Sequence, residues 1–223
     1  MSTPFTIALP AGRLARESVD FFRRCTLADF DIPEKSRELI FTDPSGEFRV
    51  ILVRSQDVPV YVAQGGADAG IAGRDVLAER GYDLAIPLQL NFGYCRLSLA
   101  APLGTAKDIL KTPHIRVATK YPRLTQDYLF QKGVSCEVIK LHGSIEIAPL
   151  LGLADCVTDL VSTGSTLAAN GMEEGGVILE SSAMLVVNRS AFALETDKLN
   201  LLLDKFQAAL AAEADTRAAQ TSA

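Results

Sequence analysis

The chain has 223 residues, 48% of them apolar and 22% charged, with a formal net charge of −5; that is the balance of an ordinary globular protein built as one large domain or two small ones. No apolar run approaches the ~20 residues that span a bilayer, and the opening MSTPFTIALPAGRL lacks the basic-then-apolar pattern of a secretory leader, so neither membrane insertion nor export is expected. With no tryptophan and no long basic run, general nucleic-acid binding is excluded as well, although an acidic chain can still bind a phosphorylated small molecule if its arginines converge.

Residues 6–10 (TIALP) read as a strand, and residues 13–25 as a helix with Leu14, Phe21, Phe22 and Cys25 at helical spacing. Two β-rich runs, 39–43 and 48–54, flank the turn signal Pro44-Ser45-Gly46 and predict a hairpin. A helix is expected over 55–66, with Ser55 near its N-cap and Pro59 in an early turn. The short apolar strand 67–73 runs into a helix stopped by Gly81. Further strands are expected at 94–102, 114–120, 136–143, 156–161 and 184–188, with helices at 105–111, 122–133 and 144–154 between them. The last helix is predicted over 199–214, and 215–223 as a frayed tail. Alternation of this kind indicates an α/β fold with largely parallel sheets. Two α/β lobes are compatible with the length, and a cleft between lobes is a usual home for a ligand.

Three stretches carry candidate chemistry. The run CVTDLVSTGSTLAANG (156–171) ends a strand in Ser162-Thr163-Gly164-Ser165-Thr166 and turns into a helix. Its backbone N–H groups, hydroxyls and helix start can cradle a phosphate, and Asp159 can accept hydrogen bonds from a diol. Alone, the stretch reads equally well as a capped turn. In LPAGRL, Gly12 separates strand from helix and Arg13 stands at the helix start, where positive charge opposes the helix dipole unless an anion is near. In GGADAGIAGRDVL, the sequence Gly73-Arg74-Asp75 follows a strand, at the end where α/β sheets bind ligands; it fits neither the dinucleotide fingerprint nor a Walker A loop, and close helix–strand packing accounts for it as well. Arg37, Arg54, Lys120, Arg123 and Glu146, taken singly, read as surface or first-turn residues, and His114 and His142 as structural. Cys25, Cys95, Cys136 and Cys156 form no CxxC pair and none is near a histidine; reduced thiols in a cytoplasm are expected, and neither a zinc site nor a disulfide framework. No nucleophile elbow is present, which favours chemistry by positioning and charge neutralisation.

Taken together, LPAGRL, VRSQDVPVYVAQGGADAGIAGRDVL, RVATKYPRLTQDYLFQKG and SIEIAPLLGLADCVTDLVSTGSTLAANG, in this order from about residue 5 to 188, resemble the ATP phosphoribosyltransferase family. The resemblance implies two lobes like those of type II periplasmic binding proteins: lobe I, about 1–94 plus 182–223, on the ATP side, and lobe II, about 95–181, carrying the loop for 5-phosphoribosyl 1-diphosphate (PRPP). It implies a pentosyltransferase that, with Mg²⁺ held mainly through substrate phosphates, joins PRPP to N1 of ATP in the first step of histidine biosynthesis. Asp159 and Ser162 to Thr166 match the PRPP loop; Arg13 and Arg37 match arginines near the triphosphate and the leaving pyrophosphate. Arg54, Gly73, Arg74, Asp75 and Glu146 match other motif positions. Ala11 departs from the lysine often found before the family's N-terminal Gly-Arg. The length resembles the short form, which implies a cytoplasmic homodimer working with a separate regulatory subunit similar to histidyl-tRNA synthetase. A type I phosphoribosyltransferase, which usually has two adjacent acids where this chain reads Thr158-Asp159, and a non-catalytic binding module are the rival readings.

Overall fold

The structure, a computed structural model, describes residues 3–33, 36–194 and 196–221, with side chains through residue 216. The chain forms two compact units, Met1–Gly93 with Ser182–Ala223 and Tyr94–Ser181. Among the described residues no helix is long and apolar enough to cross a membrane.

The first unit contains β1 (Phe5–Pro10), α1 (Arg13–Arg24), β2 (Ile40–Thr42), β3 (Phe48–Val53), α2 (Val58–Ala63), β4 (Ala69–Gly73), α3 (Arg74–Arg80) and β5 (Ala85–Gln89). The chain returns to it as β11 (Ala183–Val187), α6 (Arg189–Ala193) and α7 (Asp197–Thr221). Its sheet has the order β2-β3-β1-β4-β11-β5. Here β1 lies between β3 and β4, parallel to both, while β2, β11 and β5 run antiparallel to their neighbours. Alternation along β1 decides which side chains face which layer. Ile7 and Leu9 join Phe21, Phe22, Phe48 and Phe206 in the larger core, where Phe206 of α7 meets Phe21 edge-on at 4.8 Å and stacks on Phe22 at 5.7 Å. Ala8 faces the opposite layer with Val58, Val62 and Ala72. Small residues on that face let α2 sit close: a Cβ on Gly70 would stand 2.8 Å from Val58 Cγ1 and 2.9 Å from Val62 Cγ2.

The second unit contains β6 (Cys95–Pro102), β7 (His114–Thr119), α4 (Pro122–Gln131), β8 (Ser135–Lys140), β9 (Cys156–Val161), α5 (Ser165–Ala169) and β10 (Met172–Ser181), in the order β10-β6-β9-β7-β8. Again a central strand, β7, has parallel partners on both sides, β8 and β9. Ile115, Val117 and Leu129 pack one face, and Ala118, Ile145, Val157 and Leu167 the other.

The mixed α/β class and both units' alternation agree with the sequence, with definite corrections. The sheets are mixed and not largely parallel, because β6, β10, β11, β2 and β5 all pair antiparallel. The helices expected at 105–111 and 144–154 reduce to single 3-10 turns, Ile109–Lys111 and Ile145–Ile147; within the second, Pro149 removes an N–H from helical bonding. Strands β5 and β10 and helix α6 are additional. β5 carries Pro87 and β10 carries Gly175-Gly176, and both strands lie at sheet edges, where such residues are tolerated. The stretch from 215 to 221, expected to fray, continues α7; residues 222–223 of that stretch lie outside the described residues.

Gly70→Ala is expected to lower the unfolding free energy by about 1–3 kcal/mol through overpacking of α2 on β4. Urea unfolding of wild type and variant measures it, and an unchanged midpoint would contradict this packing.

Candidate functional site

In each unit the strand order reverses beside the central parallel strand: the chain leaves β1 for β3 on one side and reaches β4 on the other, and it leaves β7 for β8 and reaches β9 likewise. Such switch points open a crevice at the strands' carboxyl ends. The sequence-derived residues collect at these ends.

In the first unit, β1 ends at Pro10 opposite Val53, and Ala11 N–H donates to the Val53 carbonyl (2.8 Å). Gly12 then takes φ 100°, a backbone conformation suited to glycine, and Arg13 opens α1. Arg54 directly follows β3. Gly73 ends β4 and caps α3, with Arg74 and Asp75 in the first turn. Asp75 is buried and turns back on Gly73, where a Cβ would come within 2.3 Å of Asp75 Oδ1. A side chain at position 73 would displace the Asp75 carboxylate. Arg37, exposed, precedes β2, and the Leu39 carbonyl accepts from Leu52 N–H, so it approaches the same carboxyl end of β3. A cavity of about 460 Å³ lined by Gly12, Arg16, Phe30, Ser36, Leu39 and Leu52 joins the Arg13 and Arg37 segments. Arg13 itself is largely exposed and pairs with Glu17 at 2.9 Å. An exposed pair of this kind contributes roughly 0.2–1 kcal/mol, so Arg13 can exchange it for a ligand anion at little cost.

In the second unit, β9 runs out at Val161 into Ser162–Thr166. Gly164 adopts φ 82° and caps α5, the left-handed conformation that turns the following amides to one side. Thr163 Oγ1 and Ser165 Oγ share a hydrogen bond (3.0 Å). Asp159 accepts from Leu160 N–H at 2.8 Å, and Lys120 Nζ lies 3.8 Å from its Oδ2. Burial pushes the Asp159 carboxyl above its ordinary value; Lys120 opposes the shift and Glu146 adds to it. Glu146 thus belongs to this cluster, on the 3-10 turn after β8, which the chain enters through Ser144 at φ 48°.

Lys120 is the residue that reading positions singly does not find. Its signal is positional: it is the first residue after β7, the switch-point strand, and parallel partners of β7 are not visible in the sequence. His114 Nδ1 meets Ser135 Oγ at 3.0 Å across β7 and β8, and His142 follows β8. None of the four cysteines is in a disulfide; burial pushes the Cys25 thiol up to about 11 and the Cys156 thiol to about 12, so neither is poised as a nucleophile. Among the described residues no three His, Cys, Asp or Glu side chains form a metal-ligand group.

This arrangement, two α/β units with ligand-type turns at the carboxyl ends of parallel strands, has the fold of type II periplasmic binding proteins. The alkanesulfonate-binding protein SsuA from Xanthomonas axonopodis pv. citri is similar in fold at 15% identity, with a TM-score of 0.56 over 98% of this chain and 76% of that one. The sequence profile HisG: ATP phosphoribosyltransferase matches residues 54–208. An ATP phosphoribosyltransferase of Syntrophotalea carbinolica is 44% identical, covering 96% of this chain and 99% of the relative. A chain of the ATP phosphoribosyl transferase (HisG:HisZ) complex from Thermotoga maritima is 32% identical, with a TM-score of 0.77 over 92% of this chain and 98% of that one. The chain belongs to the ATP phosphoribosyltransferase family.

The raised Asp159 carboxyl has a consequence for stability. Between its unfolded and folded pKa values the folded chain holds a proton that the unfolded chain releases, so its contribution to stability falls as pH rises through that window. Asp159→Asn is expected to melt higher than wild type at neutral pH, by a few degrees at most, with the difference closing below about pH 4. Thermal unfolding across pH measures this, and a variant that melts lower at neutral pH would contradict it.

Proposed function

We propose that the chain is the catalytic subunit of an ATP phosphoribosyltransferase, transferring the 5-phosphoribosyl group of PRPP to N1 of ATP, with release of pyrophosphate, as the first step of histidine biosynthesis. The observation that carries this reading is the Ser162–Thr166 turn following Asp159 at the carboxyl end of β9, in a chain that belongs to this family. We assign the turn's amides and hydroxyls to the 5-phosphate and Asp159 to the ribose hydroxyls. Burial of Asp159 suits this role, since a carboxylate short of solvent gains most from hydroxyl donors. Lys120 and Glu146 border the same ligand. In the first unit, the ATP side, Arg54, Gly73, Arg74 and Asp75 are assigned to substrate binding, and Arg13 and Arg37 to the phosphate charges, including the pyrophosphate that leaves.

The chemistry asks little of the protein beyond placement. The N1 lone pair forms a bond to the anomeric carbon while the bond from that carbon to the pyrophosphate oxygen breaks. Positive charge grows on the ribose and negative charge on the leaving group, and the adduct loses its proton from the 6-amino group to water. Arginines aimed at the leaving group stabilise that charge, and holding both substrates in place removes much of the entropic barrier. Mg²⁺ held with the substrate phosphates would add positive charge at the leaving pyrophosphate. Ala11 contributes no cation at the position where the family often has lysine.

We further propose that the chain works in the cytoplasm as a homodimer joined to a separate regulatory subunit resembling histidyl-tRNA synthetase. Support for the regulatory partner is the likeness to a chain of the HisG:HisZ complex.

The purified chain, with and without that partner, is expected to convert ATP and PRPP in the presence of Mg²⁺ into the N1-substituted adenine, followed by its near-ultraviolet absorbance. Arg13→Ala is expected to lower kcat about 100-fold with both substrates saturating. Unchanged kcat in this variant would overturn the assignment of Arg13, and no adduct from wild type under either condition would overturn the function.

A further inference from the structure

Arg96 is the second residue of β6 and pairs in register with Val161, the last residue of β9 before the 162–166 turn. Its guanidinium divides its donors between two partners. Nε and Nη2 each donate to Glu174 of β10 at 2.6 Å, and Nη1 donates to the Ser162 carbonyl at 3.2 Å. Ser98, wholly buried one pleat along β6, donates its hydroxyl to Glu174 Oε1 at 2.6 Å. The Arg96 and Glu174 side chains are only 31% and 25% exposed, so this fork is not a solvated surface pair. Arg96 and Ser98 hold the Glu174 carboxyl below its usual range, against its burial, and Glu174 is ionised at neutral pH. A bidentate Arg–carboxylate pair fixes the guanidinium plane, and here that plane presents its remaining donor to the first residue of the turn.

The consequence follows from peptide geometry. In a trans peptide the C=O of one residue and the N–H of the next point in opposite directions within one plane. Drawing the Ser162 carbonyl toward Arg96 therefore turns the Thr163 N–H the other way. The hydrogen bond between Thr163 Oγ1 and Ser165 Oγ ties residues of the turn only to each other; Arg96 ties the turn to the sheet.

We propose that Arg96, locked by Glu174 and Ser98, is a positioning residue that sets the Ser162–Thr163 peptide so that the Thr163 N–H faces the sugar phosphate. This rests on the reading of the 162–166 turn as the 5-phosphate site. Arg116 supplies the control: it forks Asp155 and donates to the Gly152 carbonyl in the same unit, with no bond to the turn among those three.

The test is to measure ribose 5-phosphate binding by calorimetry and steady-state kinetics with ATP and PRPP for wild type, Arg96→Lys, Glu174→Gln, Ser98→Ala and Arg116→Lys. Arg96→Lys and Glu174→Gln are expected to weaken ribose 5-phosphate binding and raise KM for PRPP about five- to tenfold, the loss of roughly one ordinary hydrogen bond. KM for ATP should stay within about twofold, and Ser98→Ala should show a smaller effect of the same kind, as removal of one neutral donor. Arg116→Lys should bind ribose 5-phosphate as wild type does. If Arg96→Lys does not fold, Glu174→Gln and Ser98→Ala decide the question. Wild type that neither binds ribose 5-phosphate nor turns over would sink the parent reading. Wild type that binds it, with the folded Arg96, Glu174 and Ser98 variants unchanged or Arg116→Lys equally impaired, would overturn this inference alone.

Discussion

Parallel pairing on both sides of one strand is the constraint on which the rest of the structure depends. β1 has parallel partners in β3 and β4, and β7 has them in β8 and β9. Parallel neighbours cannot be joined by a tight hairpin, so each connection must cross over a face of the sheet. The exits of these parallel strands then fall on one edge, and the polypeptide there is free of the ladder's demands on its amides and carbonyls. Gly12-Arg13, Arg54 and Gly73-Arg74 share that edge in one unit; Lys120 and the Ser162–Thr166 turn share it in the other. Of the antiparallel strands, β2, β6 and β11 run the other way and exit at the opposite edge, while β5 and β10, each paired to one of these, run with the parallel set.

The edges hold charge in two different ways. Arg13 stays in solvent, paired with Glu17, so its charge is available to an anion for little cost. Asp159 is the reverse case: its carboxyl is withdrawn from water, raised by burial and incompletely compensated by Lys120 at 3.8 Å. A protein selected for stability alone has no use for such a group. Ligand hydroxyls would repay its desolvation, and the balance between Lys120 and Glu146 would then decide how firmly the acid stays ionised.

The alternating α/β class, the hairpin at Pro44-Ser45-Gly46 and the strand-to-helix turn after Val161 were legible from the sequence, because each rests on a local signal: periodicity, turn residues or a glycine where the backbone needs it. What stayed hidden was set by tertiary context. β10 reads as polar and glycine-rich, yet it is an edge strand whose glycines allow close approach, since a Cβ on Gly176 would stand 2.8 Å from the Tyr128 hydroxyl. Without β10 there is no Glu174 beside Arg96, so the ion pair behind the 162–166 turn was out of reach. Lys120 was hidden for a related reason, since strand order and not composition makes it a switch-point residue. The segment 144–154 carries enough apolar residues for a helix, but Pro149 and Gly152 confine it to one turn.

The central claim is that the turn after β9 is built to receive the phosphate of a phosphoribosyl group. A crystal structure of the chain with PRPP and Mg²⁺ tests it most directly. The account predicts the 5-phosphate within hydrogen-bonding distance of backbone amides and hydroxyls of Ser162–Thr166, and the ribose hydroxyls on Asp159. PRPP bound elsewhere, with this turn empty, would contradict it.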